Sequence, residues 1–335
     1  MLHASTFRPV VVTTLSDPLL ELRDVSVTFS SRRGTVRAVD GVSLDVRPGE
    51  VLALVGESGC GKTTLIRSIL GLEPLAGGTI LVEGNPVNQR QRTLRDLRRR
   101  VQMIFQDPTG ALNPRHSIYD AVAEGIRIHG VEGNEPALVA DALSRAGLRP
   151  AERYMARYPH EVSGGQRQRV LIAGAIALDP QLLLADEPVA SLDASIRGEI
   201  LALLRDLVDE QGLAIVAVTH DLGLAWNIAD RIAVMYLGRI VEVGDAEQVL
   251  GNPQHPYTKA LLSVVPEMER VEQQILTGET PDPSRIPAGC RFHPRCPLVA
   301  SGEAERLGIL GRCTGVDVEL VQRDDAHWSA CHALP

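Results

Sequence analysis

Gly56-Glu57-Ser58-Gly59-Cys60-Gly61-Lys62-Thr63 matches the pattern G-x-x-x-x-G-K-[ST] without a mismatch. In such a loop successive backbone N–H groups point at one anion, and the glycines let phosphate approach closely. Lys62 has the reach for β- and γ-phosphates, and the Thr63 hydroxyl suits Mg²⁺. The bland alternative is a tight strand-to-helix turn that binds nothing; lysine and threonine in register argue against it. A second candidate is Leu182–Glu187, an apolar run ending in two carboxylates. Asp186 is placed for a Mg²⁺ shell, and Glu187 for polarising an attacking water as general base. A third is Val162-Ser163-Gly164-Gly165-Gln166-Arg167-Gln168-Arg169, which opens an apolar helix over 170–178. Its start is either an anion-accepting helix N-terminus or an ordinary N-cap.

The surrounding pattern supplies the elements these groups need. Glu50–Val55 reads as a buried strand entering the loop, and Thr64–Leu70 as the helix leaving it, with Gly71 as a stop. Alternation predicts a strand over Leu19–Phe29, a basic turn at Ser31-Arg32-Arg33-Gly34, and strands near Val36–Val39, Val42–Val46 and Thr79–Val82. From about 107 to 178 the periodicity is helical, broken at Asp107-Pro108, Asn113-Pro114, Gly130 and Gly133-Asn134. Strand-like runs return at Gln181–Ala185 and Leu213–Thr219, and a hairpin is expected around Gly238. The chain therefore divides into a tail over 1–18, an α/β core over 19–265 with a helical insertion, and a loop-rich region over 266–335. That last region holds four of the five cysteines.

Length suggests about two domains. An apolar fraction of 44% with four Phe and two Trp suits an aliphatic α/β core. The net charge of −8 argues against general nucleic-acid binding. The one strongly basic stretch, Arg90–Arg100, reads as a solvated helix face. No apolar run approaches the roughly 20 residues that span a bilayer. Residues 1–18 lack the cationic start and apolar core of a secretory signal, so a cytoplasmic location is expected, with any membrane role exercised through a partner. Five cysteines in a reducing compartment are not expected to form structural disulfides.

Taken in order and spacing, Gly56–Thr63, Val162–Gln166 and Leu182–Glu187 resemble an ABC transporter ATPase. Val162 stands where that family's signature usually has Leu. The resemblance implies a P-loop ATPase core with antiparallel β and helical subdomains. It also implies ATP and Mg²⁺ as ligands, bound along Gly56–Thr63 and at Thr64, and hydrolysis by phosphoryl transfer to water. Gln106, in Phe105-Gln106-Asp107-Pro108, resembles the glutamine that contacts the metal. Ser191-Leu192-Asp193 resembles the loop exchanged across the dimer. His220 resembles the switch histidine, although on its own it reads as a satisfied strand-end histidine. Phe29 resembles the aromatic that stacks on adenine. In the family the signature of one cassette, here Ser163, Gly164, Gly165 and Gln166, closes the phosphate loop of a second, so a partner cassette is implied.

Finer segments resemble the ATPase subunits of dipeptide and oligopeptide importers, a group that also serves nickel and glutathione. They are Ala111–Arg115, Tyr158–Glu161, Met235–Glu242, His255–Leu262 and Gly289–Pro297, within a match over about 19–335. This implies a second, different ATPase chain, two transmembrane permeases, an extracytoplasmic binding protein, and a place on the cytoplasmic face of the membrane. A soluble ABC ATPase acting on ribosomes or DNA is the competing reading; it usually carries two cassettes or a long coiled-coil insertion. Cys290, Cys296, Cys313 and Cys331 have five, sixteen and seventeen residues between them, not the tight spacing of a zinc ribbon. Some members of the importer group carry a [4Fe–4S] cluster at these four positions. Zinc, with His293, His327 or His332 replacing a thiolate, and unligated thiols are the alternatives. Cys60 reads as a small filler of the loop.

Overall fold

The computed structural model describes residues 17–31, 34–87, 91–265, 276 and 278–334. Most of the expected tail, Arg32 and Arg33 of the basic turn, Arg90, and residues 266–275 lie outside the described residues.

Two sheets form the frame. The first is antiparallel, in the order β2-β1-β4-β5, with β1 Leu20–Ser31, β2 Gly34–Val46, β4 Gly77–Val82 and β5 Asn85–Pro86. Sequence reading expected two strands where β2 runs as one. The connecting residue, Gly41, takes a left-handed φ of 71° and lets the strand continue through a register shift. The second sheet has the order β11-β12-β10-β9-β3-β8-β7-β6, with β11 Val321–Asp324 and β12 His327–Ser329 at one edge. Its parallel centre is β3 Val51–Val55, β8 Ala214–Thr219, β7 Leu182–Asp186 and β6 Val101–Ile104. β9 Arg231–Tyr236 runs parallel to β3 and turns at Gly238 into β10 Arg239–Asp245, the expected hairpin.

The central strands are continuous apolar runs because both faces are covered. Alternate residues serve different cores. Leu52, Leu54, Leu182, Leu184, Val216 and Val218 pack with the helix Lys62–Ile69 and the antiparallel sheet. Leu183, Ala185, Ile215 and Ala217 face the helical insertion, and Ala53, Val55, Ile232 and Val234 face the C-terminal region. Arg231 joins the sheets by pairing with Asp45 at 3.2 Å and Glu50 at 3.0 Å.

The insertion comprises helices at Pro108–Ala111, Ile118–His129, Glu135–Arg145, Glu152–Met155 and Gly164–Ile176. Ser117 and Asn134 cap two of them through side-chain oxygens, and Gly130 stops one in the left-handed conformation. The arginine-rich helix Gln91–Arg100 is present, but its face is not simply solvated. Arg98 donates to the Leu70 carbonyl at 3.1 Å, Arg95 to that of Ile128, and Arg100 pairs with Glu83.

The core closes with the helix Pro256–Leu262, and the C-terminal region adds several single turns and the strands β11 Val321–Asp324 and β12 His327–Ser329. β12 pairs antiparallel with β10, Val243 opposite Trp328, and so extends the central sheet. A buried hydrogen bond at 2.8 Å from His327 Nε2 to Glu242 fixes this junction.

Candidate functional site

The phosphate-loop sequence lies between β3 and the helix Lys62–Ile69, as expected. Two of its glycines are irreplaceable for stated reasons. Gly56 has φ 155°, and a Cβ there would lie 2.2 Å from the Met235 carbonyl oxygen. Gly61 has φ 112°, and a Cβ there would lie 2.1 Å from the Ala38 carbonyl oxygen. Gly61 caps the helix without a side-chain hydrogen bond, which leaves the first-turn amides of Lys62, Thr63 and Thr64 directed outward. The Lys62 ammonium is nearly buried and donates to the Gly56 carbonyl at 2.7 Å and the Glu57 carbonyl at 2.9 Å. The loop thus encircles a cation. Ser58 and Gly59 lie on its rim. Cys60 is buried beneath it, its thiol pushed up by burial and 3.8 Å from the lysine nitrogen.

Asp186 ends β7 and accepts from the Thr63 hydroxyl at 3.0 Å. Burial, followed by the neighbouring Glu187 charge, raises its carboxyl above the usual range in spite of that bond. Thr63 and Asp186 are the hard oxygen donors that Mg²⁺ takes, so the donor set fits that ion. Glu187 adopts φ 46°, a strained conformation for a glutamate. Gln106 Nε2 donates to its Oε2 at 3.0 Å, and His220 Nδ1 lies 3.0 Å from its Oε1. Two side chains far apart in sequence therefore meet on the Glu187 carboxylate. His220 directly follows β8 and is 58% exposed, and the Glu187 carboxylate is the partner of this strand-end histidine.

Ser163 caps the helix Gly164–Ile176 in a reciprocal box: its hydroxyl accepts from Gln166 N at 3.3 Å, and Gln166 Oε1 accepts from Ser163 N at 3.0 Å. Gly165 is pressed against Ile196, where a Cβ would come within 2.7 Å of Cγ2. Within the described residues no hydrogen bond joins Ser163–Gln166 to this chain's own phosphate loop. Asp193 precedes the helix Ala194–Gln211, is exposed, and makes no capping bond. Phe29 on β1 is 38% exposed.

Sequence reasoning missed the environment of Glu57. Its carboxylate takes two hydrogen bonds from Arg295, at 2.8 and 3.0 Å, and one from the Thr280 hydroxyl at 2.8 Å. Its backbone amide donates to the Tyr257 hydroxyl at 2.9 Å. No local pattern signals a contact across 238 residues.

The four C-terminal cysteines do come together. Cys290, Cys296, Cys313 and Cys331 line one small cavity with His293 and His332. Burial raises all four thiols, Cys290 to about 12. Among the described residues, however, no three of His, Cys, Asp or Glu are grouped as a single metal ion requires. The zinc expectation is not met there. His293 Nδ1 engages the Cys290 carbonyl, His332 Nε2 that of Val316, and His327 Nε2 engages Glu242.

An aliphatic parallel sheet carrying a glycine loop on one strand and paired carboxylates on another defines a P-loop ATPase. Comparison with known proteins is more specific. Residues 39–190 match the family described as ABC transporter, and 241–302 match the oligopeptide/dipeptide transporter C-terminal region. The chain is 39% identical to the oligopeptide transport ATP-binding protein AppF of Bacillus subtilis, over 94% of this chain and 97% of that protein. It is 41% identical to OppF of Salmonella typhimurium, over 87% and 92%. Among solved structures it resembles cbiO1 of Clostridium perfringens, part of an ABC transporter complex. The TM-score is 0.63 at 30% identity, over 71% of this chain and 92% of that one. The dimeric ATP-binding cassette MJ0796 bound to ADP and Pi gives 0.62 at 28%, over 68% and 98%. The chain belongs to the ABC transporter ATP-binding proteins of the oligopeptide/dipeptide import family.

Proposed function

We propose that this chain is the ATP-hydrolysing subunit that energises import of di- or oligopeptides through a membrane ABC transporter. One observation carries the reading: a complete nucleotide constellation and an oligopeptide/dipeptide transporter C-terminal region occur in the same chain. In this reading the loop amides of Ser58 to Thr64 receive the phosphates. Lys62 exchanges the Gly56 and Glu57 carbonyls for phosphate oxygens, and Phe29 stacks on adenine. Thr63, Asp186 and Gln106 hold Mg²⁺, which when bound neutralises charge on the transferring phosphoryl group. Glu187, oriented by Gln106 and His220, takes the proton of the attacking water. His220 faces the γ-phosphate and reports its loss. Positioning and electrostatics supply most of the catalysis.

Ser163, Gly164, Gly165 and Gln166 close the loop of a second ATPase chain, reciprocally, with Asp193 at the exchanged segment. Two different cassettes then work beneath two permeases on the cytoplasmic face, with an extracytoplasmic binding protein delivering cargo. In this reading residues 19–265 are the nucleotide-binding motor and residues 266–335 the oligopeptide-importer-type C-terminal region with its four cysteines. The sharing of one cavity by Cys290, Cys296, Cys313 and Cys331 supports the reading that these four thiolates would hold a [4Fe–4S] cluster.

Reconstitution with the permeases and binding protein in vesicles tests the transport reading. Peptide uptake that requires ATP is expected, and co-purification of ribosomes or DNA instead of permeases would overturn it. Anaerobic isolation should give a brown protein containing iron; finding no iron removes the cluster.

A further inference from the structure

The geometry points to Arg295 as a positioning residue for the phosphate loop: acting through Glu57, it holds the loop in the shape that accepts a triphosphate. This rests on the ATP-site reading above.

Glu57 is the second residue of the loop, a position where the pattern demands no particular side chain. Yet every polar group it owns is engaged. Its carbonyl accepts from Lys62 at 2.9 Å and its amide donates to Tyr257. Its carboxylate is gripped at both oxygens by Arg295 and again by Thr280. Three of these four partners lie in residues 257–295. Burial alone would raise the Glu57 carboxyl, but the hydrogen bonds from Arg295 and Thr280 hold it below the usual range. A two-pronged guanidinium–carboxylate pair fixes orientation as well as distance.

Arg295 is itself held. Its side chain is 8% exposed. Phe292 packs on Tyr236 and Tyr257 with ring centroids 5.2 and 5.4 Å apart. Arg291 donates to the Leu237 carbonyl at 2.5 Å and pairs with Asp40. The segment 291–295 is therefore clamped to the sheet at one end and reaches the loop at the other. The loop needs such an anchor. Gly56, Gly59 and Gly61 have φ of 155°, 77° and 112°, and a glycine-rich segment in these conformations loses much entropy on ordering. Anchoring it before nucleotide arrives removes part of that loss from the binding step.

The test is calorimetric titration of the full chain with MgATP, alongside steady-state hydrolysis. Arg295→Ala should weaken ATP binding about tenfold and raise KM in proportion, with kcat changed less than about twofold. Arg295→Lys should recover part of the affinity, because one ammonium cannot make the paired contact. Glu57→Gln should weaken binding to a similar degree, and the double variant Glu57→Gln/Arg295→Ala no further than either single change. Should Arg295→Ala fail to fold, Glu57→Gln decides alone. Unchanged ATP affinity in the folded variants, with only a lower melting temperature, overturns the proposal. Lys62→Ala is measured in parallel: if it binds ATP like the unmodified chain, the loop assignment itself fails. If it loses ATP while Arg295→Ala and Glu57→Gln do not, only the positioning role falls.

Discussion

Glu187 is the side chain on which the others converge. Its left-handed backbone turns the carboxylate toward Gln106 and His220, and such strain persists where the surroundings over-determine it. The base role predicts that Glu187→Gln keeps both hydrogen-bonding atoms near their places but removes the proton acceptor. Phosphate release should fall by about 10²-fold or more, while ATP stays bound and the two cassettes stay associated. Turnover at the unmodified rate would end the assignment. Glycine identity is a separate matter at this scale. Gly56→Ala puts a methyl carbon against the Met235 carbonyl oxygen, so the loop must shift; the expected result is loss of nucleotide binding in a chain that still folds, read by titration and circular dichroism.

Helix ends illustrate how an element divides its work. The helix after the phosphate loop begins at Gly61 with no side-chain cap, leaving its amides for an anion. The helix Gly164–Ile176 begins with a capping box. Ser163→Ala should therefore lower stability by about 1 kcal/mol, the usual worth of such a cap. If Ser163 also contacts nucleotide on a partner cassette, hydrolysis by the assembled pair should fall far more than the melting shift explains. Equal, small changes in both would leave it a cap alone. The element joining helix Pro256–Leu262 to the sheet has its own signature. His255 is fully buried, its Nδ1 accepting from Tyr257 N at 3.0 Å, and burial lowers its pKa to about 4. An unfolded chain protonates this histidine near 6.5, so unfolding takes up a proton between the two values. Stability from this group is complete above about pH 6.5 and is lost as pH falls toward 4, by roughly 3 kcal/mol at most. Melting temperatures across pH 4.5–7.5 should show this slope, and His255→Asn should flatten it.

At the scale of the molecule, the C-terminal region is built into the ATPase. β12 continues the central sheet, Trp328 enters the same core as Leu54, and Arg295 reaches the phosphate loop. Much of this molecule was legible in one dimension. The strand Val51–Val55, the loop, the two carboxylates and the hairpin at Gly238 follow from local periodicity and glycine placement, and all appear where expected. The run Val101–Ile104 was not read as a strand, because four residues beside an arginine-rich helix carry no period; its pairing with β7 makes it one. β11 and β12 escaped for the same reason: both are short, and their hairpin joins the sheet only through β10, distant in the chain. The cysteines were legible as a set, but their sharing of one cavity was not.

What the amino-acid order determined by itself was the chemistry within reach of a single loop. A glycine's left-handed torsion, a lysine at a helix start and an acid at a strand end act over a few residues, so their spacing carries their meaning. Only the tertiary structure decided which distant groups meet: Gln106 and His220 on Glu187, Thr63 on Asp186, Arg295 and Tyr257 on Glu57. Hydrogen bonds have a range of about 3 Å, and packing of the sheet's faces, not position along the chain, brings those atoms within it.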